Sequence, residues 1–344
     1  MKRWVAGAVT VLAAVGALAA AGPASASSRA WYQTYKVNRS GTFSDIAAIS
    51  KTNIWMVGDL GKKNKTTYRP FIWHYGRSGW KTVTIPGAPR FLADQVSASA
   101  ANNVWVFGRS SSSSASTVVY RYDGSRWHKI PLPAETSLSG AVVLGPKNVW
   151  AIGSSGTILT YVFRWNGSRW RGYGLPNSRL VPVSIAASAS NNVWIAGEVG
   201  SGPVVRAAAD RWNGNRWHEA DMPRVRTHDP SVAAFSRSNV WIGWDTATGF
   251  RATHWDGHHW DTMTTPGDVV ANTWNVVPDG KGGYWFGPFA ILTGSTWTSE
   301  PSLGVSGALG FVVRIPGTES FLLPASVESP GSAIQRPALY RFNL

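Results

Sequence analysis

The sequence predicts an all-β fold: a seven-bladed β-propeller of four-stranded antiparallel blades, with the N-terminal strand closing the last blade. Three observations predict it. Two tryptophan positions recur with a period of about 45 residues. Tight-turn residues separate short runs of strand-forming residues within each repeat. The two ends of the chain read as complementary fragments of one repeat.

The first recurring position follows an Asn-Val pair or its counterpart: Trp55, Trp105, Trp150, Trp194, Trp241 and Trp285. The second follows turns such as "DGSR" and "NGSR": Trp80, Trp127, Trp170, Trp217, Trp260 and Trp297. From each turn Trp to the next Asn-Val Trp the spacing is 23 to 25 residues (80 to 105, 127 to 150, 170 to 194, 217 to 241, 260 to 285). The same step leads from Trp297 to Phe321 and back from Trp55 to Trp31, which completes seven units.

The fourth unit shows the elements in order. Strand A is "VSIAASA", small and apolar enough for the crowded centre of a ring. Strand B is "VWIAG", strand C "VVRAAADRW" and strand D "RWHEADM". Asn213-Gly214 between C and D is a hairpin signal, expected to place both central residues at positive φ. A large residue five before each turn Trp (Tyr75, Tyr122, Trp165, Trp212, Trp255) is expected to pack on it. Each blade is a small twisted sheet that cannot bury its faces alone. A flat ring at a fixed place fills the gap to the next blade, and its burial removes about 150–250 Å² from water. The repeated tryptophans therefore read as core rather than as a sugar-stacking ladder.

The chain ends in "ALYRFNL", which matches the end of a strand C, and has no strand D after it. An orphan strand D stands at Trp31–Val37, so the N-terminal strand is expected to close the seventh blade and remove an exposed edge. Ahead of it, "MKRW", an apolar run over Val5–Ala21 and Ala24-Ser25-Ala26 form the pattern of a cleaved export signal. The expected organisation is a signal peptide over 1–26 and one propeller domain over 27–344, secreted and extracellular, with no transmembrane segment. With 20 Trp and no Cys, this domain is held by burial without disulfides.

The "N-V-W-x-x-G" and "W-[D/N]-G-x-x-W" motifs resemble those of kelch and WD40-like propellers. More closely, they resemble the Trp-rich repeat propellers of secreted actinobacterial proteins. The resemblance spans nearly all of the mature chain and implies the fold; it implies little about activity. Blades six and seven depart from the pattern, since Trp285 lies in "GGYW" and Phe321 replaces Trp.

No catalytic signature is present. HExxH, GxSxG and acidic calcium loops are missing, and without Cys a Cys–Tyr copper oxidase is excluded. Asp123 and Asp256 hold the turn position that Asn166 and Asn213 also fill, so they read as turn formers. His258-His259 reads as part of a turn rather than as a metal site. No catalytic residue, metal ligand or cofactor is expected.

In antiparallel blades the B–C and D–A connections share one face, and the near-identical A–B and C–D turns share the other. Variable loops on a rigid frame are where binding usually resides. The formal charge of +15 falls to +13 without Lys2 and Arg3 and favours anionic partners. The candidate ligand-binding residues on the loop face are Lys62, Lys63, Lys65, Arg90, Arg224, Arg226 and His228. Arg109 and Arg179 share it, as do the acids Asp59, Asp94, Glu198, Asp229 and Asp245. Arg126, Arg169 and Arg216, on the turn face, are expected to lie over the neighbouring indoles. The leading expectation is a monomeric, non-catalytic module for an extracellular glycan, an anionic envelope polymer or a protein, and not for nucleic acid. The alternatives are a carbohydrate-active hydrolase or lyase using Asp59, Asp94 or Asp245 in the central funnel, and a purely structural envelope protein.

Overall fold

The computed structural model describes residues 30–344 except 62–68, 89–90, 111–116, 134–135, 156–157, 202–204, 228, 247–248, 266–274 and 330. Six antiparallel sheets, each four consecutive strands in the order A-B-C-D, and a seventh sheet built from both chain ends form a β-propeller. The fourth blade is typical: Val181–Ala189, Asn192–Val199, Arg206–Trp212 and Trp217–Ala220. In the seventh, Ser320–Ser329 and Ser332–Asn343 are strands B and C, and Tyr32–Lys36 is strand D. Tyr32 pairs with Arg341 and Lys36 with Ala338, and Val37 N donates to Pro337 O at 2.8 Å. The ring closes as the chain ends require.

Each letter of the N-V-W-x-x-G motif has a physical cause. The Trp is buried and meets the C–D aromatic pair of the following blade. Trp55 packs on Tyr122 and Trp127, Trp105 on Trp165 and Trp170, and Trp150 on Trp212 and Trp217. The residue five before each turn Trp packs on it, from Tyr75 on Trp80 (5.2 Å) to Trp255 on Trp260 (5.3 Å). The Asn accepts the indole proton: Trp55 Nε1 donates to Asn53 Oδ1 at 2.8 Å, and Trp105, Trp194 and Trp241 repeat the contact. Among the described residues the buried Nε1 of Trp285, where Gly283 replaces the Asn, has no partner, and neither has that of Trp150, whose Asn148 accepts from Arg164 Nε at 3.1 Å instead. The Gly has no alternative. Strand A carries a bulge beside it in blades one to four, which brings a strand-A carbonyl against Gly58, Gly108, Gly153 and Gly197. A Cβ there would collide with that backbone.

Two expectations are corrected. In the C–D turns only the glycine has positive φ, 105° at Gly214 and 100° at Gly124. The preceding Asn or Asp instead folds its side chain back, and Asn213 Oδ1 accepts from Asn215 N and Arg216 N. These are Asx turns, which explains why Asp123, Asn166, Asn213 and Asp256 are interchangeable there. Nor do the turn arginines cover the indoles: the Arg126 side chain is 78% exposed. The cover comes from strand C, directly opposite the Trp. Arg164 lies over Trp150 at 5.2 Å and Arg211 over Trp194 at 5.4 Å. His74 and His254 stack on Trp55 and Trp241 at 4.2 and 4.3 Å, and burial lowers both imidazole pKa values. Planar cationic or aromatic side chains fit that place because they pack on an indole face; His74 (3.0 Å), Arg164 (3.1 Å) and His254 (3.1 Å) also reach the Asn Oδ1, whereas the buried Arg211 Nε has no partner among the described residues.

Candidate functional site

The mouth of the ring, where B–C and D–A connections meet, is built differently in its two halves. Lys62, Lys63, Lys65, Arg90 and His228 lie outside the described residues, as does the Asp245 side chain. Arg224 and Arg226 are described and exposed. The D–A segment that carries them folds back along the start of strand C. Ala207 N donates to Val225 O at 2.9 Å, and Arg226 pairs as an antiparallel bridge with Arg206. Directly opposed residues put their side chains on one side of the ribbon, and like charges so placed repel. Arg206 is exposed as well, and neither arginine has an ion pair among the described residues. Arg206 carried no signal in the sequence, because only the bridge brings it opposite Arg226.

Between blades one and two the described residues bring acids together. The strand-A bulge of blade two makes Asp94 the extra residue, and Arg109 grips its two carboxylate oxygens with Nε and Nη2, both at 2.8 Å. The guanidinium, itself raised in pKa chiefly by that contact, does not fully offset burial, and Asp94 stays above the usual carboxylate range. Asp59 belongs to blade one, yet its Oδ1 accepts from Ala93 N of blade two at 3.1 Å. Burial pushes Asp59 to about 8, against that hydrogen bond; the Asp94 charge adds to the rise and Arg109 opposes it. Deeper in the channel wall, Asp45 accepts from Val96 N of blade two (3.0 Å) and from Ile46 N (2.8 Å). Burial outweighs both contacts and raises it to about 7.

Asp59 and Asp45 act as fasteners between blades, while Asp94 is held within blade two by Arg109. The same task falls to Ser184, which accepts from Val232 N at 3.1 Å, to Thr117, which accepts from Leu138 N at 2.8 Å, and to Glu198, which accepts from Asp229 N at 2.9 Å. Each joins one blade to the first strand of the next, or to the segment leading into it. Asp59 and Asp94, which the sequence placed on one face, are thus brought together, but with Arg109 between blades rather than as a free pair across the funnel.

The His258-His259 turn is as expected: both backbone amides donate to Asp256 Oδ1 at 2.7 Å. Among the described residues no group of three or more His, Asp or Glu side chains is arranged to hold a metal ion.

No protein-family model and no curated protein matches the chain. Solved structures do match in shape. A structure titled YCF48 bound to D1 peptide is similar over 93% of this chain and 96% of its own, with 15% identity and a TM-score of 0.61. The polysaccharide lyase Uly1 is similar over 94% of each chain, with 10% identity and a TM-score of 0.56. A GH74 xyloglucanase from Xanthomonas campestris is matched over 86% of this chain and 59% of its own, with 11% identity and a TM-score of 0.51. At these identities the likeness establishes the fold.

Proposed function

We propose that this chain is an exported, non-catalytic binding module that grips an extended anionic ligand, an acidic glycan or envelope polymer, at the mouth of the ring. The observation that carries this reading is the exposed Arg206–Arg226 pair, two like charges held opposite each other with no ion pair to either among the described residues. An anionic group between them relieves the repulsion, and guanidinium groups bind carboxylate, sulfate or phosphate through paired N–H donors. Lys62, Lys63 and Lys65, three blades away in the longest B–C connection, supply a second contact for a ligand long enough to reach it. The similar structures include a peptide-bound propeller and two polysaccharide-cleaving enzymes by name, which fits a ligand that is a chain.

The hydrolase alternative is weaker on the described residues. Both oxygens of Asp45 and Asp94 are occupied, and Asp59 is 7% exposed with one oxygen on Ala93 N. A glycan and polyanion panel at two salt concentrations tests the reading. Acidic chains should be retained at low salt and released as ionic strength rises. Arg206→Glu/Arg226→Glu should weaken retention about tenfold or more while Asp59→Asn leaves it unchanged. Retention of neutral chains only, or turnover abolished by Asp59→Asn in a folded protein, would refute it.

A further inference from the structure

The opposite face of the ring is a second charged surface. It consists of the A–B and C–D turns, and in each of blades two to five the two turns touch. The Cβ position of Gly124 abuts Asn102, that of Gly214 abuts Asn191, and Gly257 faces Ser238 in the same way. The turns of blades two to five are short and alike, so their side chains project from one side of the ring. Lys51, Arg77, Lys147, Arg169, Arg216 and Arg237 stand exposed on it, spread over blades one, three, four and five. None forms an ion pair among the described residues.

The acids in these turns are already engaged. Asp123 is held well below the usual carboxylate range, first by the Arg126 amide and then by His128, which it meets at 2.6 Å. Asp256 accepts two backbone amides, and Asp279 is buried and accepts from Lys281 N and Gly283 N. Glu319 pairs with Lys281 at 3.0 Å. The large apolar side chains exposed among the described residues are Tyr32, Val305 and Ile334; Tyr32 stands where strands C and D of blade seven meet, at the edge of this face, and Val305 and Ile334 lie outside these turns.

We infer that the turn face is a docking surface for a membrane rich in anionic lipid, held by charge without insertion. A linear polyanion meets only the cations along its path. A plane of anionic headgroups meets all of them at once. Each basic side chain near such a plane strengthens binding about fivefold, so several together hold a protein at the surface, within reach of a Debye length. The mouth would then face away from the membrane, free to bind its own ligand.

Sedimentation of the mature protein with phosphatidylglycerol/phosphatidylcholine vesicles, against phosphatidylcholine alone, tests this. Binding should require phosphatidylglycerol and disappear in about 0.5 M salt. Arg77→Ala/Arg169→Ala/Arg237→Ala should lower the partition coefficient about a hundredfold. Arg206→Glu/Arg226→Glu at the mouth should change it less than twofold, which separates this inference from the proposed mouth function. A melting curve on each variant confirms folding, and Lys51→Ala/Arg216→Ala provides a second set on other turns. Equal losses from mouth and turn variants, vesicle binding indifferent to phosphatidylglycerol, or turn variants that lose a soluble polyanion but keep the vesicles would each overturn it.

Discussion

Trp31 lies edge-on to Trp285, with ring centroids 5.8 Å apart and planes at 80°, and its Nε1 donates to Pro288 O at 3.0 Å. Trp31 flanks the N-terminal strand, and Trp285 is the buried ring of the sixth blade. Trp31 thus takes for blade six the place that Trp127 takes for Trp55. Removing residues 27–37 strips strand D from blade seven and uncovers Trp285. The truncated protein should melt well over ten degrees lower or fail to fold. A melting point within one or two degrees of a chain that keeps residues 27–37 would show that closure does not hold the ring.

Trp194 is 2% exposed and packs between blades, edge-on to Trp260 at 5.9 Å and under Arg211. Trp194→Ala should cost about 3–5 kcal/mol in denaturant unfolding. Ligand binding should change only as far as folding does. A stable variant that has lost binding would reassign the ring to recognition.

Asn103 is 1% exposed and makes three contacts: it accepts from Trp105 Nε1 (3.0 Å) and Arg121 Nε (2.9 Å) and donates to Ser99 Oγ (2.8 Å). Asn103→Ala leaves a buried indole N–H and a guanidinium without their acceptor. The expected loss is about 2–3 kcal/mol. Conversely, blade six tolerates an orphan Trp285 Nε1, so Trp285→Phe should cost less than Trp105→Phe. Urea melts of both variants compare the two losses directly.

Asp210 is fully buried with neither carboxylate oxygen hydrogen-bonded among the described residues, at a strand-C position where the sister blades carry Trp73, Tyr120, Phe163 and Thr253. Burial, with a lesser push from Glu219, raises it to about 7. A carboxyl raised in the folded state binds its proton more tightly there than in the unfolded chain. Its stabilising contribution is therefore complete below about 4 and lost as pH rises through 7. Asp45 and Asp59 act in the same direction, through about 7 and about 8. The melting temperature should fall between pH 5 and 8. Asp210→Asn should flatten that fall and raise stability at pH 8 by about 1–3 kcal/mol. A variant with the slope of the parent would mean that Asp210 does not titrate in this range.

How much was legible follows from how each feature is encoded. Seven units, four strands per unit, the buried rings and the closing strand are repeated locally, so spacing and chain ends alone determine them. The Asp/Asn exchange in the turns marked those residues as structural for the same reason: a position filled by either cannot require a charge. The roles of the polar and glycine positions around the rings were not legible. The Asn of the motif caps an indole two residues away, and the Gly makes room for a bulge that no strand pattern announces. Arg164, Arg211, His74 and His254 cover the indoles because strand pairing sets them opposite, so the turn arginines were the wrong residues to choose.

The sequence by itself determined the architecture, because a repeated ring must find a repeated pocket and complementary ends must pair. Only the tertiary structure decided what the polar groups do. Whether Asp59 is a free acid or a fastener depends on where Ala93 N of the next blade falls, and whether Arg226 stands alone depends on its bridge to Arg206. Both are distances between segments far apart in the chain, and local periodicity carries no information about them.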